Sequence, residues 1–120
     1  MPVVKAKDQS MRHEHAVSTA VKTIMESGLS DHVTKIILFG SCARGEQTFS
    51  SDVDLLVLLD PEVRKKPSWV RSARKVASEL SFLDRDLAEC DVHWHVGKEN
   101  EIPGTFGSLV RLEGKTIWET

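Results

Sequence analysis

Several classes of protein are excluded by what this chain has little of. Its two cysteines, Cys42 and Cys90, are too few for a disulfide framework and lack the spacing of a metal site. They fit a reducing compartment, where a thiol is simply a small apolar side chain. Long hydrophobic runs are missing as well: the longest, Leu55 to Leu59, falls far short of the roughly 20 residues a bilayer requires. The stretch from Met1 to Asp8 carries lysines with no apolar core behind them, so it does not read as a secretory signal. The expectation is a cytoplasmic protein, neither exported nor embedded in a membrane. Nor is there an excess of charge of one sign: 28% of residues are charged, yet the formal net charge is -2. Nothing argues for bulk attraction to nucleic acid or to an anionic membrane, and any polyanion must be gripped locally. Repeats and low-complexity tracts are absent too.

What is there is the material for one ordinary α/β domain over residues 1–120, since 40% hydrophobic residues suffice for a continuous core. From Ser10 to Ser27, the residues Ala16, Val17, Ala20, Val21, Ile24 and Met25 recur in pairs four apart, which predicts a helix ended by Gly28. Val33 to Phe39 is a short β-branched and apolar run punctuated by Gly40, and predicts a first strand. Asp52 to Leu59 predicts a second, whose apolar run suits a strand buried on both faces and is stopped by Asp60-Pro61. A helical period runs from Ser68 to about Leu83 through Trp69, Val70, Ala73, Val76, Ala77 and Leu80. Asp91 to Val96 alternates polar and apolar residues, the period of a strand with one wet face, and leaves Val92, Trp94 and Val96 for the core. Gly104 to Glu113 reads as a short helix closed by Gly114, and Lys115 to Trp118 as a final edge strand.

The chemistry lies between the first two strands. Gly40, at a strand end, lets the backbone approach a ligand closely, and Ser41 offers an N–H and a hydroxyl to phosphate oxygens. A helical turn begun by residues 42–46 would aim free N–H groups at the same anion. Arg44 adds a forked donor, to phosphate or to a nearby carboxylate. Alone, such a segment is most often a polar turn with an exposed arginine. It does not stand alone: Asp52 and Asp54 follow, two apart on a strand, so their carboxylates leave the same face. Two adjacent anions ask for a cation, and hard oxygen ligands beside a phosphate-binding turn suit Mg2+ or Mn2+ and the phosphates of a nucleotide. Asp91 is the candidate third carboxylate, provided its strand neighbours the second.

Three carboxylates can bridge two metal ions, one serving the attacking hydroxyl and one the triphosphate and departing pyrophosphate. His93 and His95 share the face of Asp91 by alternation, as substrate contacts, a proton acceptor, additional metal ligands, or simply solvated imidazoles. The run Arg64, Lys65, Lys66 reads as a solvated loop, and Trp69 and Trp118 as packing residues rather than a base-stacking platform.

With those residues in view, Gly40-Ser41-Cys42-Ala43-Arg44-Gly45 followed by Ser51-Asp52-Val53-Asp54-Leu55-Leu56-Val57 resembles the minimal nucleotidyltransferases of the DNA polymerase beta superfamily. The spacing from Asp54 to Asp91, and the tail from Phe106 to Glu119, are similar as well. The resemblance implies an α/β (α+β) fold, a small mixed sheet with helices packed on one face. It implies that Gly40 and Ser41, with Arg44, grip an NTP, while Asp52, Asp54 and Asp91 are catalytic and bind Mg2+. His93 and His95 depart from the aliphatic residues expected on that strand, which leaves the acceptor side open. Such proteins resemble the nucleotidyltransferase half of two-gene modules whose partner is a small helical HEPN-type protein, often a toxic ribonuclease. The implied activity is transfer of AMP from ATP to a hydroxyl on that partner, an antitoxin role. Two alternatives stand beside it: a non-catalytic nucleotide-binding module that neutralises its partner stoichiometrically, and a drug-modifying nucleotidyltransferase, which usually needs a second domain. An exposed apolar face on the helices would suggest self-association or a stable partner, a homo- or hetero-oligomer.

Overall fold

The computed structural model describes residues 2–48, 51–81 and 88–120, with the backbone alone for residues 2–11. Along the chain run α1 (Pro2–Glu26), β1 (Val33–Phe39), α2 (Ser41–Arg44), β2 (Val53–Leu59), α3 (Trp69–Ser81), β3 (Cys90–Val96), α4 (Gly104–Glu113) and β4 (Lys115–Glu119). The elements expected from hydrophobic period are all present. The first helix starts earlier than its apolar stripe, at Pro2 rather than Ser10. Leu83, the last residue of the helical period in the third helix, lies outside the described residues.

The strands form one mixed sheet in the order β3-β2-β1-β4. β1 and β2 run antiparallel, from Val33 opposite Leu59 to Phe39 opposite Asp54. The connection through α3 returns β3 parallel to β2, so that Asp54 is opposite Asp91 and Leu59 opposite Val96. β4 folds back antiparallel on the free edge of β1. A central position between two strands explains why β2 is apolar almost throughout: from Leu55 to Leu59 every residue is buried.

Each face of the sheet has its own cover. On one side Ala16, Ala20 and Ile24 of α1 and Ala73, Val76 and Leu80 of α3 pack on Ile36, Leu55, Val57 and Leu59, with Val92, Trp94 and Val96 at the margin. Burying each large aliphatic side chain here contributes about 1.5–3 kcal/mol. This is the expected helical layer. On the other side Ile37, Phe39, Leu56 and Leu58 are covered by Ile102, Val110 and Phe106, so the short α4 closes the second face. By the two-residue period of a strand, Asp54 leaves β2 on the side of Leu56 and Leu58, beside α4 and away from the two long helices. The functional face of the sheet is therefore the one left to the smaller cover.

Candidate active site

The turn after β1 is built around Gly40. Its φ of 75° lies in the left-handed region, and its carbonyl oxygen accepts the N–H groups of Ala43 at 3.1 Å and Arg44 at 3.2 Å, opening α2. Because Phe39 pairs with Asp54, the residue that follows Phe39 lies directly against that carboxylate. A β-carbon at Gly40 would collide with an Asp54 carboxylate oxygen. Glycine is thus required here twice, by dihedral angle and by close approach. Gly45 closes α2 at φ 72°, and the Glu46 N–H donates to the Ser41 carbonyl at 2.9 Å.

Arg44 makes its hydrogen bonds outside the acidic site, while its charge acts on Asp54 in the direction that lowers that carboxyl's pKa. Its Nε donates to Glu46 at 2.6 Å and its Nη1 to both carboxylate oxygens of Glu113 at 2.9 and 3.0 Å. Those hydrogen bonds, that to Glu113 foremost, raise the guanidinium pKa further above its already high value. The structure therefore places Arg44 as a brace between α2 and the end of α4, and of the two roles open to its fork it takes the carboxylate.

Asp54 and Asp91 are register partners on parallel neighbouring strands. One donor atom each from Asp54, Asp91 and His93 lies within 4.8 Å of the others. Burial, and after it the charge of Asp91, push the Asp54 carboxyl above the usual carboxylate range; His93 opposes this and Asp52 adds to it. Two oxygen donors held together against their own repulsion fit a hard divalent cation.

Asp52 is exposed at the entry to β2 and stays outside that tight grouping, close enough for its charge to be felt at Asp54. Its main chain is held from two sides. The Cys42 thiol donates weakly to the Asp52 carbonyl at 3.6 Å, and His13 Nε2 donates to the Ser51 carbonyl at 2.9 Å. His13 is 3% exposed on α1 and was not among the residues singled out from sequence. The signal was present: a polar residue on the stripe of Ala16, Ala20 and Ile24, where burial demands a partner. His95 follows on the same face of β3, beyond the grouping formed by Asp54, Asp91 and His93.

Comparisons with known proteins identify the domain that carries this arrangement. The model of the nucleotidyltransferase domain matches residues 19–105, which include the Gly40 turn, both strand carboxylates and Asp52. The chain belongs to the nucleotidyltransferase domain family. Over 57 residues it is 35% identical to a Methanocaldococcus jannaschii protein named "Putative protein adenylyltransferase MJ0141", a match covering 46% of this chain. The chain spans 58% of that relative's length. Among solved structures it is similar to a toxin–antitoxin with AMP-PNP, at 25% identity and a TM-score of 0.52, over 83% of this chain and 70% of the other. A nucleotidyltransferase-fold structure from Sulfolobus solfataricus, titled as a putative nucleotidyltransferase, aligns over 95% of this chain and 86% of its own at a TM-score of 0.59. At 17% identity that likeness speaks for the fold.

Two outcomes follow. Asp54 is harder to ionise folded than unfolded, so it costs the metal-free protein nothing below the ordinary carboxylate range, and stability falls as pH rises through its raised value. In chelator-treated protein, Asp54→Asn should flatten this decline as pH rises above the ordinary carboxylate range, and melt above the parent once Asp54 is ionised. A variant melting at or below the parent there would contradict the site's electrostatics. Gly40→Ala should lose about 1–3 kcal/mol in urea denaturation from the positive φ alone. It should also weaken binding of ATP with Mg2+ by displacing the Asp54 carboxylate; unchanged stability and binding would contradict the close approach.

Proposed function

We propose that this nucleotidyltransferase moves AMP from ATP to a hydroxyl group on a partner protein, with Asp52, Asp54 and Asp91 as its metal-binding and catalytic carboxylates. The single observation that carries the reading is the register of Asp54 against Asp91, with Gly40 turned into the same corner. The likeness to a toxin–antitoxin structure containing AMP-PNP, and to a relative named for protein adenylylation, supports ATP as the donor and protein as the acceptor. It also favours the toxin of a toxin–antitoxin pair as the partner that is modified; a helical HEPN-type protein is the partner the family resemblance implies.

In the reaction, the acceptor oxygen attacks the α-phosphorus, a new P–O bond forms, and the bond to the departing pyrophosphate breaks. Mg2+ or Mn2+, when bound, neutralises the phosphate charge and lowers the pKa of the acceptor hydroxyl. The chain's own contribution is positioning and fixed charge. Gly40 and Ser41 offer a backbone and hydroxyl surface for the triphosphate beside the carboxylates. Asp54 feels the charges of both Asp91 and Asp52 and, with them, would hold the cation. Asp91, whose side chain is 62% exposed, faces the side from which an acceptor can enter. Arg44 braces α2 through Glu46 and Glu113, and is the third residue that could reach the nucleotide beside Gly40 and Ser41.

The test is transfer of label from α-labelled ATP with Mg2+ to proteins of a native host lysate. The parent chain should label a discrete band, and the Asp52→Asn, Asp54→Asn double variant should lose at least about a hundredfold of that signal. Equal labelling by both chains would remove these carboxylates from catalysis. Absence of labelling by a parent chain that binds ATP and Mg2+ would exclude protein as the acceptor.

A further inference from the structure

We infer that His93 is a direct ligand of the divalent cation, making the Asp91 side of the centre a mixed oxygen and nitrogen site that favours Mn2+ over Mg2+. This rests on the reading above that Asp54 and Asp91 hold a cation. Three observations carry it. Asp91 and His93 leave β3 on one face, and a donor atom of His93 joins the oxygens of Asp54 and Asp91 within 4.8 Å. His93 Nε2 stands 3.4 Å from Asp91 Oδ2, longer than an ordinary N–H···O hydrogen bond. Two donors about 2.1 Å from one octahedral ion stand about 3.0 Å apart at a right angle, so a closure of a few tenths of an ångström brings both onto one shared ion.

The ring is also fixed in place. Its centroid lies 5.5 Å from that of Phe39 and 5.4 Å from that of Phe106, which are themselves 5.4 Å apart in an edge-on contact. Phe39 belongs to the strand that ends at Gly40, and Phe106 to the helix covering this face. A solvated surface imidazole has no need of such a clamp. An exposed ion pair between His93 and Asp91 would account for their contact alone, and not for the approach of Asp54 to both. Carboxylate and water ligands suit Mg2+ and Mn2+ alike, whereas an imidazole nitrogen is a ligand for transition metals, so adding one separates the two ions in favour of Mn2+.

The experiment uses the full chain with Mn2+ as the probe, followed by pulsed electron paramagnetic resonance, in which a coordinated imidazole nitrogen modulates the spin echo. Bound Mn2+ should display one strongly coupled 14N signal. His93→Gln should abolish that signal and weaken Mn2+ binding by at least about tenfold. Mg2+ affinity should fall by a smaller factor, so the preference for Mn2+ narrows. A circular dichroism spectrum and melting curve like the parent's would show that the variant is folded. Mn2+ bound in dependence on Asp54 and Asp91 but without nitrogen coupling overturns the role of His93 and leaves the carboxylate centre standing. Nitrogen coupling that survives in His93→Gln overturns it equally, by assigning the nitrogen elsewhere. Mn2+ binding indifferent to Asp54→Asn and Asp91→Asn would remove both this inference and the reading beneath it.

Discussion

The parallel pairing of β2 with β3 is the constraint on which the site depends. It sets Asp54 opposite Asp91 across neighbouring strands, with carboxylates on one face, and neither can move away without breaking the register. That register is enforced from the other side of the same strands. A slip of β3 by one residue would turn Val92, Trp94 and Val96 away from the layer of α1 and α3 and set His93 and His95 against it. The energy of the core thus holds the Asp91 charge where it adds to the cost of ionising Asp54. A divalent cation is the simplest thing that relieves it.

Around this pair, the remaining contacts position rather than add charge. Gly40 keeps the turn close to Asp54 because it has no β-carbon to collide with the carboxylate. His13 and Cys42 hold the carbonyl groups on either side of the step into Asp52, one from α1 and one from α2. Arg44 and Glu113 connect α2 to the last turn of α4, tying the turn to the helix that covers the functional face. Phe39, His93 and Phe106 then link β1, β3 and α4 around the mouth of the site. The buried thiol of Cys90, pushed up to about 12 by burial above all, is inert and serves packing, with its Sγ–H directed at the Ala16 carbonyl.

Much of this was legible in the sequence wherever a single period governs. β2 could be read from its apolar run, β3 from alternation, and α4 from its closing glycine, and the structure returns nearly the same bounds. Gly40 and Asp54 were singled out by local spacing, and Asp91 only on condition that its strand neighbours the second, a condition the pairing of β2 with β3 meets. The features that escaped depend on long-range meetings. Arg44 and Glu113 are 69 positions apart, and His13 and Ser51 are 38 apart, so no local pattern could announce either pairing. The start of α1 was missed because residues before Ser10 carry no apolar stripe, and the four-residue α2 is too short to show a period. Whether His93 belonged to the site depended on the pairing of β3 with β2, which strand alternation alone leaves undetermined.

The most direct measurement of the central claim is anomalous diffraction from crystals of the full chain soaked with Mn2+ and a non-hydrolysable ATP analogue. The account predicts a strong anomalous peak between the Asp54 and Asp91 carboxylates, with the analogue's phosphates on the Gly40–Ser41 turn. A peak elsewhere, with these carboxylates free of metal in the presence of bound nucleotide, would contradict it.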